Sequence, residues 1–134
     1  MNLERIDREL AVLREGGQSA ELVTTADNRP CVLYRDVPTG GTPHGLPPVT
    51  DTIVPVPSGY PAPPIDLAAL PVGSPFINRV KGGTNSQGII SACGCEWQLA
   101  SYHPHNGGGG PPWDQTKYGF HTYIDHLIAW LDRL

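Results

Sequence analysis

Apolar residues recur at Leu3, Ile6, Leu10 and Leu13, three or four positions apart, with charged residues between them. That stripe predicts an amphipathic helix, ended by Gly16 and Gly17. A second stripe, Phe120, Tyr123, Ile124, Leu127, Ile128, Leu131 and Leu134, keeps the same period and predicts a helix at the other end of the chain. Thr122, three residues before Asp125, offers a capping box there, and Phe120 places the helix start slightly earlier.

The segments between the two helices read differently. Runs 21–25 and 31–37 are β-rich and separated by the turn-forming Asp27-Asn28-Arg29-Pro30. Run 49–56, with Ile53, Val54 and Val56, predicts a third strand, and run 65–70 a short fourth. Between these last two, residues 57–64 are so proline-rich that they predict a rigid extended turn, because proline fixes φ and removes a ladder donor. Residues 37–48 predict a surface loop. Residues 72–92 are glycine-rich and weakly patterned apart from Ile89-Ile90, and 95–101 predicts one or two helical turns before Pro104. Residues 105–112, with four consecutive glycines, predict another loop. A run of strands with helices at its ends predicts an α+β fold: one domain over 1–134, an antiparallel four-stranded sheet, and the N-terminal and C-terminal helices packed on it.

Composition refines this picture. Hydrophobic residues make up 39% and charged residues only 16%, while 16 Gly and 15 Pro predict short elements joined by stiff, irregular connections. The net charge is −4, with Lys and Arg scattered, which argues against nucleic acid as a partner. No apolar run approaches the roughly 20 residues that span a bilayer, so no membrane partner is expected. The charged start of the chain lacks the pattern of a signal peptide, and three cysteines do not make a disulfide framework. A soluble protein of the reducing cytoplasm is the resulting expectation.

Several local motifs occur in an informative order. Gly59-Tyr60-Pro61-Ala62-Pro63-Pro64 is similar to the Tyr-Pro…Pro-Pro turn after the third strand of the ubiquitin-conjugating enzyme superfamily. His103-Pro104-His105-Asn106 resembles that superfamily's His-Pro-Asn motif with one residue inserted, and Trp113 resembles the tryptophan before its central helix. Trp97-Gln98, Ser101-Tyr102-His103, Trp113 and Thr122-Tyr123 with Leu127 resemble a bacterial branch more closely. The resemblance covers residues 49–134; residues 1–48 agree in element order alone. It implies a ubiquitin-conjugating (UBC-like) fold. The cysteine that family enzymes carry several residues after the His-Pro-Asn motif is absent, since Gly107 to Asp114 contain none.

Acyl transfer requires a nucleophile, a proton acceptor and stabilisation of an oxyanion. Ser101, two positions before His103, is a candidate oxyester carrier, against a local capping role. Cys93 and Cys95 are candidate thiol nucleophiles, against the usual place of cysteine as a small buried hydrophobe, and Cys31 lies in a strand pattern as core. His103 suits acid–base chemistry near neutral pH, and Asn106 could stabilise an oxyanion. The alternative for both is holding the loop. Tyr60, Pro61, Gly107, Gly108 and Trp113 are the candidate binding residues. Asp66 and Asp114 read as solvated or capping residues. No metal is expected: Cys93-Gly94-Cys95 is too closely spaced, and His121 and His126 fall on different helix faces. A small zinc protein built on these histidines is the remotest reading.

The resemblance therefore implies a transferase of a bacterial ubiquitin-like conjugation pathway, with no cofactor. Its partners would be a ubiquitin-like modifier, a ThiF-like adenylating activating enzyme and a JAB-type isopeptidase of the same pathway. The alternative is a non-catalytic variant that binds or scaffolds the modifier and activating enzyme.

Overall fold

The computed structural model describes residues 3–80, 88–100, 102–105 and 110–134. Helix α1 spans Leu3–Glu15 and helix α2 spans Phe120–Arg133. Between them lie β1 (Ala20–Thr24), β2 (Pro30–Pro38), β3 (Val49–Pro55), β4 (Ala68–Pro71), β5 (Ile89–Ala92) and β6 (Cys95–Ala100). The architecture is α+β, and among the described residues no helix is long and apolar enough to cross a membrane.

The sheet is antiparallel throughout, with strand order β1-β2-β3-β4-β6-β5. Six strands replace the four expected. The difference lies in the β5–β6 hairpin, which includes residues 95–100 of the segment expected as helical turns. Trp97 and Leu99 alternate in a period of two and bury one face, so residues Cys95–Ala100 follow strand periodicity. At the hairpin tip Cys93 and Gly94 have φ of 56° and 74°, the left-handed pair that a two-residue hairpin turn requires.

Each sheet face buries its own cluster. Val32, Tyr34, Val37, Val54, Ala68, Leu70 and Ala100 pack beneath the helices. Cys31, Leu33, Ile53, Ala69, Ile90, Ala92, Trp97 and Leu99 form the second cluster, where the sheet curls upon itself. The curl brings Ser91 of β5 to the β1–β2 turn, where Ala26 N–H donates to its carbonyl at 2.9 Å. A bulge in β2 keeps the faces in phase. Pairing with β3 slips between Tyr34 and Val37, which returns Val37 to the helix face, and Asp51 Oδ1 accepts the Asp36 N–H at 2.9 Å.

Both helices lie on the first face. Ile6, Leu10 and Leu13 of α1 and Phe120, Tyr123, Leu127 and Leu131 of α2 are buried there. Helix α2 begins at Phe120, as its stripe implies. Its end is closed by Thr122 bonding back to the Gly119 N–H at 3.1 Å rather than by a Thr122–Asp125 pair.

Candidate functional site

The proline-rich turn is held from three sides. Tyr60 is buried, and its hydroxyl donates to Glu9 Oε1 of α1 at 2.6 Å. The ring packs on Phe120 (centroids 5.1 Å apart) and Trp113 (6.3 Å), with the Arg5 guanidinium 5.5 Å above it. Trp113 Nε1–H donates to the Pro61 carbonyl at 3.0 Å. Three candidate binding residues, Tyr60, Pro61 and Trp113, therefore meet at one place. Burial and then the bond to Glu9 push the Tyr60 hydroxyl far above the usual phenol range, so it stays protonated and donates to the carboxylate.

Glu9 organises this junction. Its Oε1 also accepts the Phe120 N–H at 2.9 Å, and its Oε2 accepts Arg5 Nε at 2.7 Å. Arg5 in turn donates to the Tyr118 carbonyl at 2.7 Å. One carboxylate thus joins α1, the proline turn and the first turn of α2, where a negative charge also complements the helix dipole. The position carries a faint sequence signal. Glu9 sits on the apolar stripe with Ile6 and Leu13, and a charge on that stripe needs partners.

Strand β6 leads out of the sheet toward the histidines. Leu67 N–H donates to the Tyr102 carbonyl at 2.7 Å, and Tyr123 hydroxyl donates to the Leu67 carbonyl at 2.9 Å. These bonds place His103 against Asp66. His103 Nδ1 lies 2.8 and 2.9 Å from the two Asp66 oxygens, while its side chain stays 37% exposed. Asp66 was expected to be a solvated or capping residue. It is the partner of the candidate base, and no local pattern announces a contact between residues 37 positions apart.

His105 takes the opposite course. It is buried, and its Nδ1–H donates to the Pro111 carbonyl at 2.9 Å. Its ring packs against Trp113 (5.1 Å), Tyr118 (5.0 Å) and His126 (4.8 Å). That histidine links Pro111 and Trp113 to His126 of α2. Burial, and then the neighbouring His105, lower the pKa of His126.

The cysteines lie elsewhere. Cys93 and Cys95 are exposed at the β5–β6 tip, contrary to the buried role that cysteine usually takes, whereas Cys31 is buried as its strand pattern implies. Cys95 and Ala100 end the same strand, about 17 Å apart at about 3.3 Å per residue, and His103 lies beyond Ala100. The structure thus separates both exposed thiols from the histidine. Ser101, Asn106, Gly107 and Gly108 lie outside the described residues. Among the described residues, no group of three or more His, Cys, Asp or Glu side chains is placed to hold a metal ion.

No family model, curated protein or solved structure matches this chain.

Proposed function

We propose that this chain is a ubiquitin-conjugating-enzyme-like component of a bacterial ubiquitin-like conjugation pathway, with His103 as its general base. The reading is carried by the Asp66–His103 pair: both carboxylate oxygens lie within 2.9 Å of Nδ1, and the ring remains partly exposed. A carboxylate at Nδ1 holds the proton there and leaves Nε2 basic. An attacking hydroxyl or amine would pass its proton to Nε2 as its oxygen or nitrogen bonds to the modifier's activated carbonyl carbon. Collapse of the tetrahedral species would then expel adenylate or thiolate. Ser101, two positions before His103 in sequence, is the proposed hydroxyl, and the modifier's C-terminal tail would run past Asn106, Gly107 and Gly108. The junction of Tyr60, Pro61 and Trp113, where three candidate binding residues meet, would be the rigid wall of that site.

A second reading is favoured by the position of the cysteines. With both exposed thiols at the far hairpin, the chain could bind or scaffold the modifier and its ThiF-like activating enzyme without forming a thioester.

Intact-protein mass spectrometry after incubation with the activating enzyme, the modifier and ATP distinguishes the two. Catalysis predicts a modifier-sized mass increase that resists thiol, is split by hydroxide, disappears in Ser101→Ala and slows in Asp66→Asn. Binding without any adduct, from a demonstrably active activator, would rule out the transferase and leave the binding module.

A further inference from the structure

We infer that the cleft between α1 and the segment entering α2 is a binding site for a phosphate-class dianion. The cleft is a cavity of about 330 Å³ whose charged and polar wall includes Arg5, Arg8 and Glu9 from one side and Thr116, Lys117 and His121 from the other. The chain carries a net charge of −4, yet three of its nine Lys and Arg residues line this one cavity.

The local charge balance is positive. Glu9 is the sole carboxylate among the described residues lining the cleft, and it is occupied by Arg5 Nε, the Tyr60 hydroxyl and the Phe120 N–H. Arg5 and Glu9 neutralise one another at 2.7 Å. Arg8 and Lys117 are exposed and form no ion pair among the described residues. Asp114, whose charge reaches Lys117, has Oδ1 occupied by the Thr116 N–H (2.9 Å) and hydroxyl (2.6 Å). Arg8 and Lys117 therefore face the cleft with no carboxylate in ion-pair contact among the described residues, and with Arg5 balanced by Glu9 the lining carries two net positive charges, which a dianion matches and a carboxylate only halves. A guanidinium fork opposite an ammonium is also a donor arrangement suited to phosphate oxygens. On the same wall, His121 Nδ1 is shielded from water and has no hydrogen-bond partner among the described residues.

The site does not rely on the end of α2, because the Phe120 N–H already belongs to Glu9. It is also independent of the Asp66–His103 reading: none of its residues belongs to that pair.

The test is a titration of the ¹⁵N-labelled protein with inorganic phosphate at constant ionic strength, followed by amide chemical shifts. Saturable shifts at Thr116, Lys117 and His121 are expected, with affinity reduced about tenfold or more in the Arg8→Gln/Lys117→Gln double variant. Arg79→Gln, an exposed cation outside the cleft, should bind phosphate like the wild type. The double variant's own spectrum reports whether it is folded. Shifts that never saturate, or that saturate equally in the double variant, would overturn the site. Acetate binding as tightly as phosphate would overturn the dianion class.

Discussion

The Tyr60 hydroxyl meets Glu9 Oε1 at 2.6 Å across 51 positions of sequence, tying the proline-rich turn to the first helix. Because the same carboxylate accepts from Arg5 and from the Phe120 N–H, removing it strands three donors at once. Glu9→Ala is expected to destabilise the fold by about 3–5 kcal/mol, as when one partner of a buried ion pair is deleted. Tyr60→Phe loses one bond to a charged group, about 1.5–3 kcal/mol. Urea unfolding of both variants checks the order. A Glu9→Ala cost no greater than that of Tyr60→Phe would show that the carboxylate is not the hub.

Gly119 is required by proximity. Its φ of −171° is extended backbone open to any residue, but an added Cβ would lie 2.5 Å from both Cδ and Oε2 of Glu9. Gly119→Ala must therefore push Glu9 away from Phe120 or shift the start of α2, a cost of about 1–3 kcal/mol by analogy with overpacking. The same unfolding measurement tests it. Combining Gly119→Ala with Glu9→Ala should cost less than the sum of the two, since the clash disappears with the carboxylate.

Much of this arrangement was legible in the sequence, and the exceptions share physical causes. Both helices follow from uninterrupted apolar stripes, and the strand positions of β1, β2 and β3 from β-rich runs between turn residues. The β5–β6 hairpin was missed because its turn is Cys93-Gly94, where Asn-Gly is the familiar signal, and because each strand is short. The alternation of Ile90 with Ala92, and of Trp97 with Leu99, was the available clue. The meeting of Tyr60 with Trp113 joins two segments that the sequence already singled out. Asp66 and Glu9 could not be assigned partners, since those partners are set by how distant segments pack and leave no local period.

The three thiols should separate cleanly by reactivity. Burial pushes Cys31 up to about 11, whereas Cys93 and Cys95 are exposed at the hairpin tip. At pH 8 only about one Cys31 in a thousand would be thiolate even when reached by reagent. Brief alkylation of the native protein, counted by intact mass, is expected to add two groups, and three in denaturant. Rapid addition of a third group to the native protein would mean that the second core opens around Cys31.

His126 predicts how stability varies with pH. Its ring packs against His105 at 4.8 Å and Tyr123 at 6.1 Å, and it also feels Asp125, which favours its charged form, and Arg133, which opposes it. Burial, followed by the effect of His105, lowers its pKa below the ordinary 6.5. The unfolded chain therefore takes up the proton first as pH falls, so stability present above about 6.5 declines below it. The wild-type thermal midpoint should fall between pH 7.5 and 5.5, before most carboxylates titrate. His126→Gln removes this proton uptake and should flatten the profile, while the Tyr102 hydroxyl, which donates to the His126 backbone carbonyl and not to its ring, keeps that contact. Parallel profiles for the two proteins would assign the decline to another group.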